Sequence, residues 1–325
     1  MSSYLVVAQG VTEPPPPPPG VPIGAYAHQT PGDPTASATN VDQISYTDGY
    51  GEETDLSTIF GEQYKAGLDG RFTAPVEHFS DQVPEQDGAR YRGSRVLPNL
   101  LTIPITFVAD DIATLRAKVR EVARALSPKR GIGKLTVFTS DGLGRYVNCV
   151  YESGFETDPA TEDEIYDARV VLNFRAFDPF WYDIEPVNKR FDNRNNGGTF
   201  FPAPPFRIGS SSVFSTFAED NEGDVRAWPV WDITGPGEKL RLLNETTGEW
   251  LAISQAIARG TTIRIDTRPG VKSVRNITGN TNLFPYITGS LWSLAPGLNS
   301  LRVEMINAIP DASVNLQYQP GYLGV

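Results

Sequence analysis

The sequence predicts a mainly β protein: two β-sandwiches, the first carrying one long α-helix. Three observations carry this. The 325 residues include 30 glycines and 27 prolines, far above the usual combined share of about 12%, which favours turns and short strands. Strict apolar–polar alternation recurs at residues 262–266, 301–305 and 314–318, and a period of two marks a half-buried strand. A helical period is convincing only once, between residues 111 and 127.

Residues 1–90 read as an N-terminal strand and a proline-rich, irregular arm. Pro14 to Pro19 is an unbroken proline run. Each ring fixes φ and removes a backbone donor, so the run is polyproline II, a stiff spacer or a ligand for an aromatic groove. Tyr46, Tyr50, Phe60, Tyr64, Phe72 and Phe79 follow neither helical nor strand spacing. Aromatic anchors in so irregular a segment pack on their own domain or on a neighbouring chain. These six are candidate inter-subunit or partner contacts.

Residues 91–185 read as the first sandwich. Residues 100–108 make a strand, and Pro104, which has no N–H for a ladder, belongs at an edge or a bulge. Asp110 or Asp111 caps the helix at 111–127. Ile112, Leu115, Val119, Val122 and Leu126 form one stripe, and it is too short for a coiled coil, so it faces a sheet. Ser127-Pro128 ends it. Three strands follow, at 134–139, 145–155 and 168–177. Cys149 reads as a small buried hydrophobe in the second of them. Residues 186–205, rich in Asn, Gly and Pro, read as a linker. Residues 206–325 read as a second sandwich, with turns such as Gly235-Pro236-Gly237 and Pro269-Gly270 between short strands.

Composition excludes several functions. Lys+Arg 28 against Asp+Glu 39 gives a net charge of -11, which disfavours a nucleic-acid binder or an anionic membrane surface. One cysteine and two histidines exclude a disulfide framework and a four-thiolate zinc site. No apolar run approaches the roughly 18 residues of a membrane span, and the N-terminus lacks the basic region of a signal peptide. Synthesis in a reducing cytoplasm is expected.

Catalytic motifs are weak. Gly131-Ile132-Gly133-Lys134 lacks phosphate-loop spacing, and Gly209-Ser210-Ser211-Ser212 lacks the second glycine of a nucleophile elbow. A triad would need His28 or His78. Two acidic clusters, Glu162-Asp163-Glu164 with Asp167 and Glu219-Asp220 with Glu222 and Asp224, suggest paired acids for glycoside hydrolysis. They do not match calcium-loop spacing and read as solvated turns. No catalytic residue, cofactor or metal ligand is assigned. Trp228, Trp250 and Trp292 are candidates for stacking on a glycan.

The C-terminal half carries a resemblance. Asn221-Glu222-Gly223-Asp224-Val225 is followed by Trp228-Pro229-Val230-Trp231-Asp232-Ile233-Thr234-Gly235-Pro236. The chain ends with Leu291-Trp292-Ser293-Leu294-Ala295-Pro296-Gly297-Leu298-Asn299 and alternating strands. A hinge, Phe177-Asp178-Pro179-Phe180-Trp181-Tyr182, precedes them. In this order the motifs resemble the siphophage tail-component (minor tail protein) family, the distal tail proteins of long-tailed phages, over roughly residues 90–325.

That resemblance implies a structural virion protein at the distal end of the tail, not an enzyme. It implies a ring-forming N-terminal β-sandwich with a helix, a hexameric ring, and a galectin-like C-terminal β-sandwich pointing outward. The implied partners are further copies of the chain, the tail tube protein, the baseplate hub or tail-associated protein, and the tape measure protein. The lumen would pass the tape measure and DNA, and a wall lacking a basic excess would avoid pairing with phosphate. The first 90 residues, longer and proline-rich, depart from the simplest members. The alternative is a carbohydrate-binding host-recognition module of the tail tip.

Overall fold

The computed structural model describes residues 42–56, 68–82, 84–85, 87–139, 142–156, 167–192, 213–308 and 311–325. The proline run, Phe60, Tyr64, His28, Glu162, Asp163, Glu164 and the segment 209–212 lie outside them. The first elements are β1 (Gln43–Thr47), β2 (Glu53–Asp55), β3 (Val76–Asp81), β4 (Arg90–Val96), β5 (Asn99–Val108), α1 (Ile112–Ala125), β6 (Gly133–Phe138), β7 (Gly144–Ser153), β8 (Asp167–Ala176) and β9 (Trp181–Asp183). Strands β2-β1-β6-β7-β8-β5 are joined in that order, and β9 pairs with β7.

Alternation builds this core. Leu101, Ile103, Ile105 and Phe107 of β5 and Val170, Leu172 and Phe174 of β8 are buried against Leu135, Val137, Val147 and Trp181. Each large side chain so buried contributes about 1.5–3 kcal/mol. β5 ends the sheet, as Pro104 requires. Thr102 exchanges both backbone bonds with Asp69 on the side away from β8. Pro104, two residues on, therefore turns its missing donor to that same outer edge.

Asp111 is the helix N-cap; its carboxylate accepts the Thr114 N–H at 2.9 Å and the Thr114 hydroxyl at 2.6 Å. Leu115, Val122 and Leu126 are buried and Val119 packs beside them. Ile112 departs from the expected stripe. It sits on the first turn, beyond the packed part, and is 40% exposed.

Residues 42–56 belong to this sandwich and not to an arm. β1 pairs antiparallel with β6 from Gln43↔Phe138 to Thr47↔Lys134, and Ile44, Tyr46 and Leu56 enter the core. Where the Tyr46 ring crosses β6, a Cβ on Gly133 would lie 2.3 Å from the Tyr46 hydroxyl. Only glycine leaves room there.

The second sandwich comprises β10 (Val187–Asp192), β11 (Val213–Asn221), β12 (Val230–Thr234), β13 (Glu238–Asn244), β14 (Glu249–Ile253), β15 (Thr262–Asp266), β16 (Ser273–Asn276), β17 (Thr281–Asn282), β18 (Ile287–Gly289), β19 (Gly297–Ile306) and β20 (Ser313–Tyr318). One sheet has the order β10-β20-β12-β15-β16-β17 and the other β11-β19-β13-β14-β18. Trp231, Ile233, Leu242, Ile265, Val303 and Leu316 are among the side chains buried in its core. β10 corrects the linker boundary: residues 187–192 are a strand paired with β20.

The chain then returns. β21 (Gly321–Tyr322) pairs with β9, so the second sandwich is an insertion between two neighbouring strands of the first. The Arg145 guanidinium lies 3.4 Å from the centre of the Tyr322 ring and donates to the Gly324 carbonyl at 2.6 Å. The Tyr322 hydroxyl donates to Asp183 at 2.9 Å.

Candidate functional surface

The hairpin of β3 and β4 pairs with no other described strand. Its ladder runs from Val76↔Val96 to Asp81↔Arg90, with a bulge at Phe79/Ser80. On one face Arg95 bonds Glu77 at 2.6 Å and covers the Phe79 ring at 5.5 Å. Arg92 bonds Asp81 at 2.5 Å. Elsewhere on the ribbon, His78 meets Tyr91 edge-on at 6.0 Å. Tyr91 is 64% exposed and Val76 49%. A lone two-stranded hairpin is marginally stable in water, and exposed ion pairs add only about 0–1 kcal/mol each. Among the described residues no further layer covers the ribbon.

A second exposed corner joins β1 and β2. The Asp48 carboxylate accepts the N–H groups of Tyr50 at 2.8 Å and Glu52 at 3.0 Å, and it pairs with Arg130. Burial pushes the Asp48 pKa up, but the Glu52 N–H, the Arg130 side chain and the Tyr50 N–H outweigh it and hold the acid below its usual range. The Arg130 guanidinium sits 5.6 Å from the ring of Tyr50, which is exposed.

The predicted contact aromatics thus divide. Tyr50, Phe72 and Phe79 are exposed. Tyr46 is not a surface residue: its ring is buried 5.4 Å from Phe174. Phe60 and Tyr64 lie outside the described residues. Sequence reasoning missed exposed Tyr91, Ile132 and Phe177. For Tyr91 the only signal was an aromatic residue in an arginine-rich, otherwise polar strand.

The three tryptophans share no surface. Trp292 is buried in the second core, edge-on to Trp231 at 5.7 Å, which removes it as a stacking platform. Trp250, on β14 of one sheet, has Arg241 above its ring at 5.2 Å. Trp228 precedes β12 of the other, with Lys272 at 5.7 Å.

Other reactive groups are tied into structure. Burial pushes the Cys149 thiol up to about 12, more than the Leu135 backbone lowers it, so it is held as the neutral thiol. Glu219 is buried and lies 2.9 Å from the Tyr318 hydroxyl. Asn221 bonds the carbonyls of Val225 and Ala295 and accepts the Gly223 N–H. Asn299 bonds Ala295, Gly297 and Asn244. The asparagines of the two C-terminal motifs are therefore buried ties that hold turns. No potential metal-holding group of three or more His, Cys, Asp or Glu residues occurs among the described residues.

Residues 64–176 match the family model of the phage tail protein RIFT-related domain, about a third of the chain. The fold is similar to that of the Dit protein of phage SPP1. That protein is described as a paradigm of the hub adsorption apparatus in phages that infect Gram-positive bacteria. The TM-score is 0.62 at 16% identity, over 87% of this chain and 100% of that one. The baseplate of phage P2, in its activated conformation with calcium, aligns at TM-score 0.48 and 10% identity over 86% of this chain and 98% of that chain, too distantly to argue from. No curated protein sequence matches.

Proposed function

We propose that this chain is a structural protein of the distal tail of a long-tailed phage, a ring that joins the tail tube to the baseplate hub. The observation that carries the reading is the fold likeness to SPP1 Dit over 87% of this chain, together with the tail-protein domain match at residues 64–176. The exposed ribbon and the Tyr50 corner supply surfaces for neighbours. A ring is a heterologous interface that closes by rotation, and each ribbon covers the next copy. The ring is a hexamer. Its other partners are the tail tube, the hub and the tape measure, and it works in the virion without catalysis. Glycan stacking on the tryptophans gains no support, since Trp292 is buried, Trp250 lies on one sheet and Trp228 precedes a strand of the other.

Mass photometry with negative-stain imaging tests this. Six copies of 35.6 kDa make about 214 kDa, and rings with a central hole are expected. If the protein is a monomer alone and remains one with tail tube and hub proteins added, the ring reading fails.

A further inference from the structure

Two exposed patches around the first sandwich carry opposite charge, and no ion pair joins them within one chain among the described residues. The first is on α1. Its packed face uses Leu115, Val122 and Leu126, while Arg116, Arg120 and Arg124 stand exposed on another face. Steps of four residues put them in one line, about 6 Å apart and about 12 Å in all. Arg124 reaches Glu52 at 4.0 Å, and Glu121 lies off the line, one turn before Arg124. Arg116 and Arg120 have no ion-pair partner among the described residues. Like charges at this spacing disfavour a lone helix, so an anionic neighbour would relieve them.

The second patch is the turn of the β3–β4 ribbon. Between Asp81 and Arg90 the sequence carries Glu85 and Asp87 and no basic residue. Both acids are exposed and have no ion-pair partner among the described residues. The other acids of the ribbon are already taken, Asp81 by Arg92 and Glu77 by Arg95. Two residues along a chain span at most about 7 Å, so Glu85 and Asp87 match the spacing of Arg116 and Arg120.

We propose that the ribbon turn of one copy docks on α1 of the next, with Glu85 and Asp87 set on Arg116 and Arg120. The inference rests on the ring reading and names the two surfaces that the ring joins. A closed ring needs two different patches of one chain that fit each other. Copies of net charge -11 repel one another unless a local basic face meets an acidic one. Exposed pairs of this kind fix partner and register more than they add affinity. The exposed apolar groups of the ribbon, Val76 and Tyr91, supply burial beside them. A nucleic acid or an anionic membrane would engage the arginines alone and leave Glu85 and Asp87 without a role.

The test uses two full-length variants, Glu85→Arg with Asp87→Arg and Arg116→Glu with Arg120→Glu. All four positions are exposed and glutamate is a good helix former, so both variants should melt as the unaltered chain does. Alone, each sets like charge against like and should need at least roughly tenfold more protein to form the assembly seen by mass photometry. Mixed in equal amounts they should assemble again, because acid then faces base at every contact of an alternating ring of even order. Neutral versions, Glu85→Gln with Asp87→Asn and Arg116→Gln with Arg120→Gln, should fall between the unaltered chain and the reversals, and they decide the matter if a reversal fails to fold. If the unaltered chain forms no ring, even with tail tube and hub proteins, the ring reading fails and this inference with it. If it forms rings and a folded variant does so equally well, or the mixture of reversals does not recover, the ring stands and this contact is overturned.

Discussion

The two sandwiches are built by the same alternation and differ in what they turn outward. The first exposes large apolar groups: Tyr50 at 76%, Phe72 at 70%, Tyr91 at 64%, Ile132 at 66% and Phe177 at 69%. The second exposes Leu298 and Val271, with Ile277, Phe284, Tyr286 and Trp250 less so, and its six-stranded sheet sets Arg190, Asn315, Asp232, Arg264, Arg275 and Asn282 opposite one another in a polar row. Scattered surface hydrophobes are ordinary; a ribbon that no other described strand covers is not. Inward residues of a strand set the fold, and outward residues set what the fold can touch.

Core substitutions test whether the inward halves are alike. Phe174→Ala in the first sandwich and Trp231→Ala in the second should each cost about 3–5 kcal/mol, because each removes a fully buried ring. Denaturant unfolding measures this, and a loss well under 2 kcal/mol in either would show a looser core than its burial implies. A smaller loss, about 1 kcal/mol, is expected for Asp111→Ala, which deletes the cap of α1; its check is the same unfolding curve.

The outward halves should separate further. Phe79→Ser with Tyr91→Ser should shift monomer stability by less than about 0.5 kcal/mol, as exposed positions do, yet abolish the assembly seen by mass photometry. Assembly that survives would move the contact elsewhere.

Acid should then act on both sandwiches. Asp48 in the first is held below its usual range as described. For Asp266 in the second, burial pushes up, but bonds to the Arg268 side chain and N–H outweigh it and leave the acid depressed. A carboxylate depressed in the folded state stabilises fully above its unfolded pKa, roughly 3.9. That stability is lost as the pH falls from there through the folded value. Thermal unfolding at pH 6, 4 and 3 should show the loss begin only near the lower end. Asp48→Asn and Asp266→Asn should each flatten the acid limb.

Much of the fold was legible because burial writes a period into a strand. β5, β15, β19 and β20 show theirs, and α1 shows its stripe. β3 and β4 do not, since a ribbon with no buried face imposes no alternation on Arg90–Val96. β1 was hidden in a polar stretch, and its Tyr46 read as a surface anchor because nothing local shows that a strand 90 residues away covers it. β10 was masked by the linker-like composition that follows it. The polar row was invisible for a stronger reason. Arg190 and Asn315 meet only through the register of β10 on β20, which no local pattern records.

The return of β21 onto β9 also sets an order of events during synthesis. β9 ends at Asp183 and its partner begins at Gly321, so the ribosome must make the whole inserted sandwich in between. At usual rates of translation that interval is on the order of ten seconds. Until then the first sandwich lacks its last strand, and Arg145, paired with Asp183, lacks Tyr322 and the Gly324 carbonyl. A nascent chain therefore completes its first sandwich only after the second has been made.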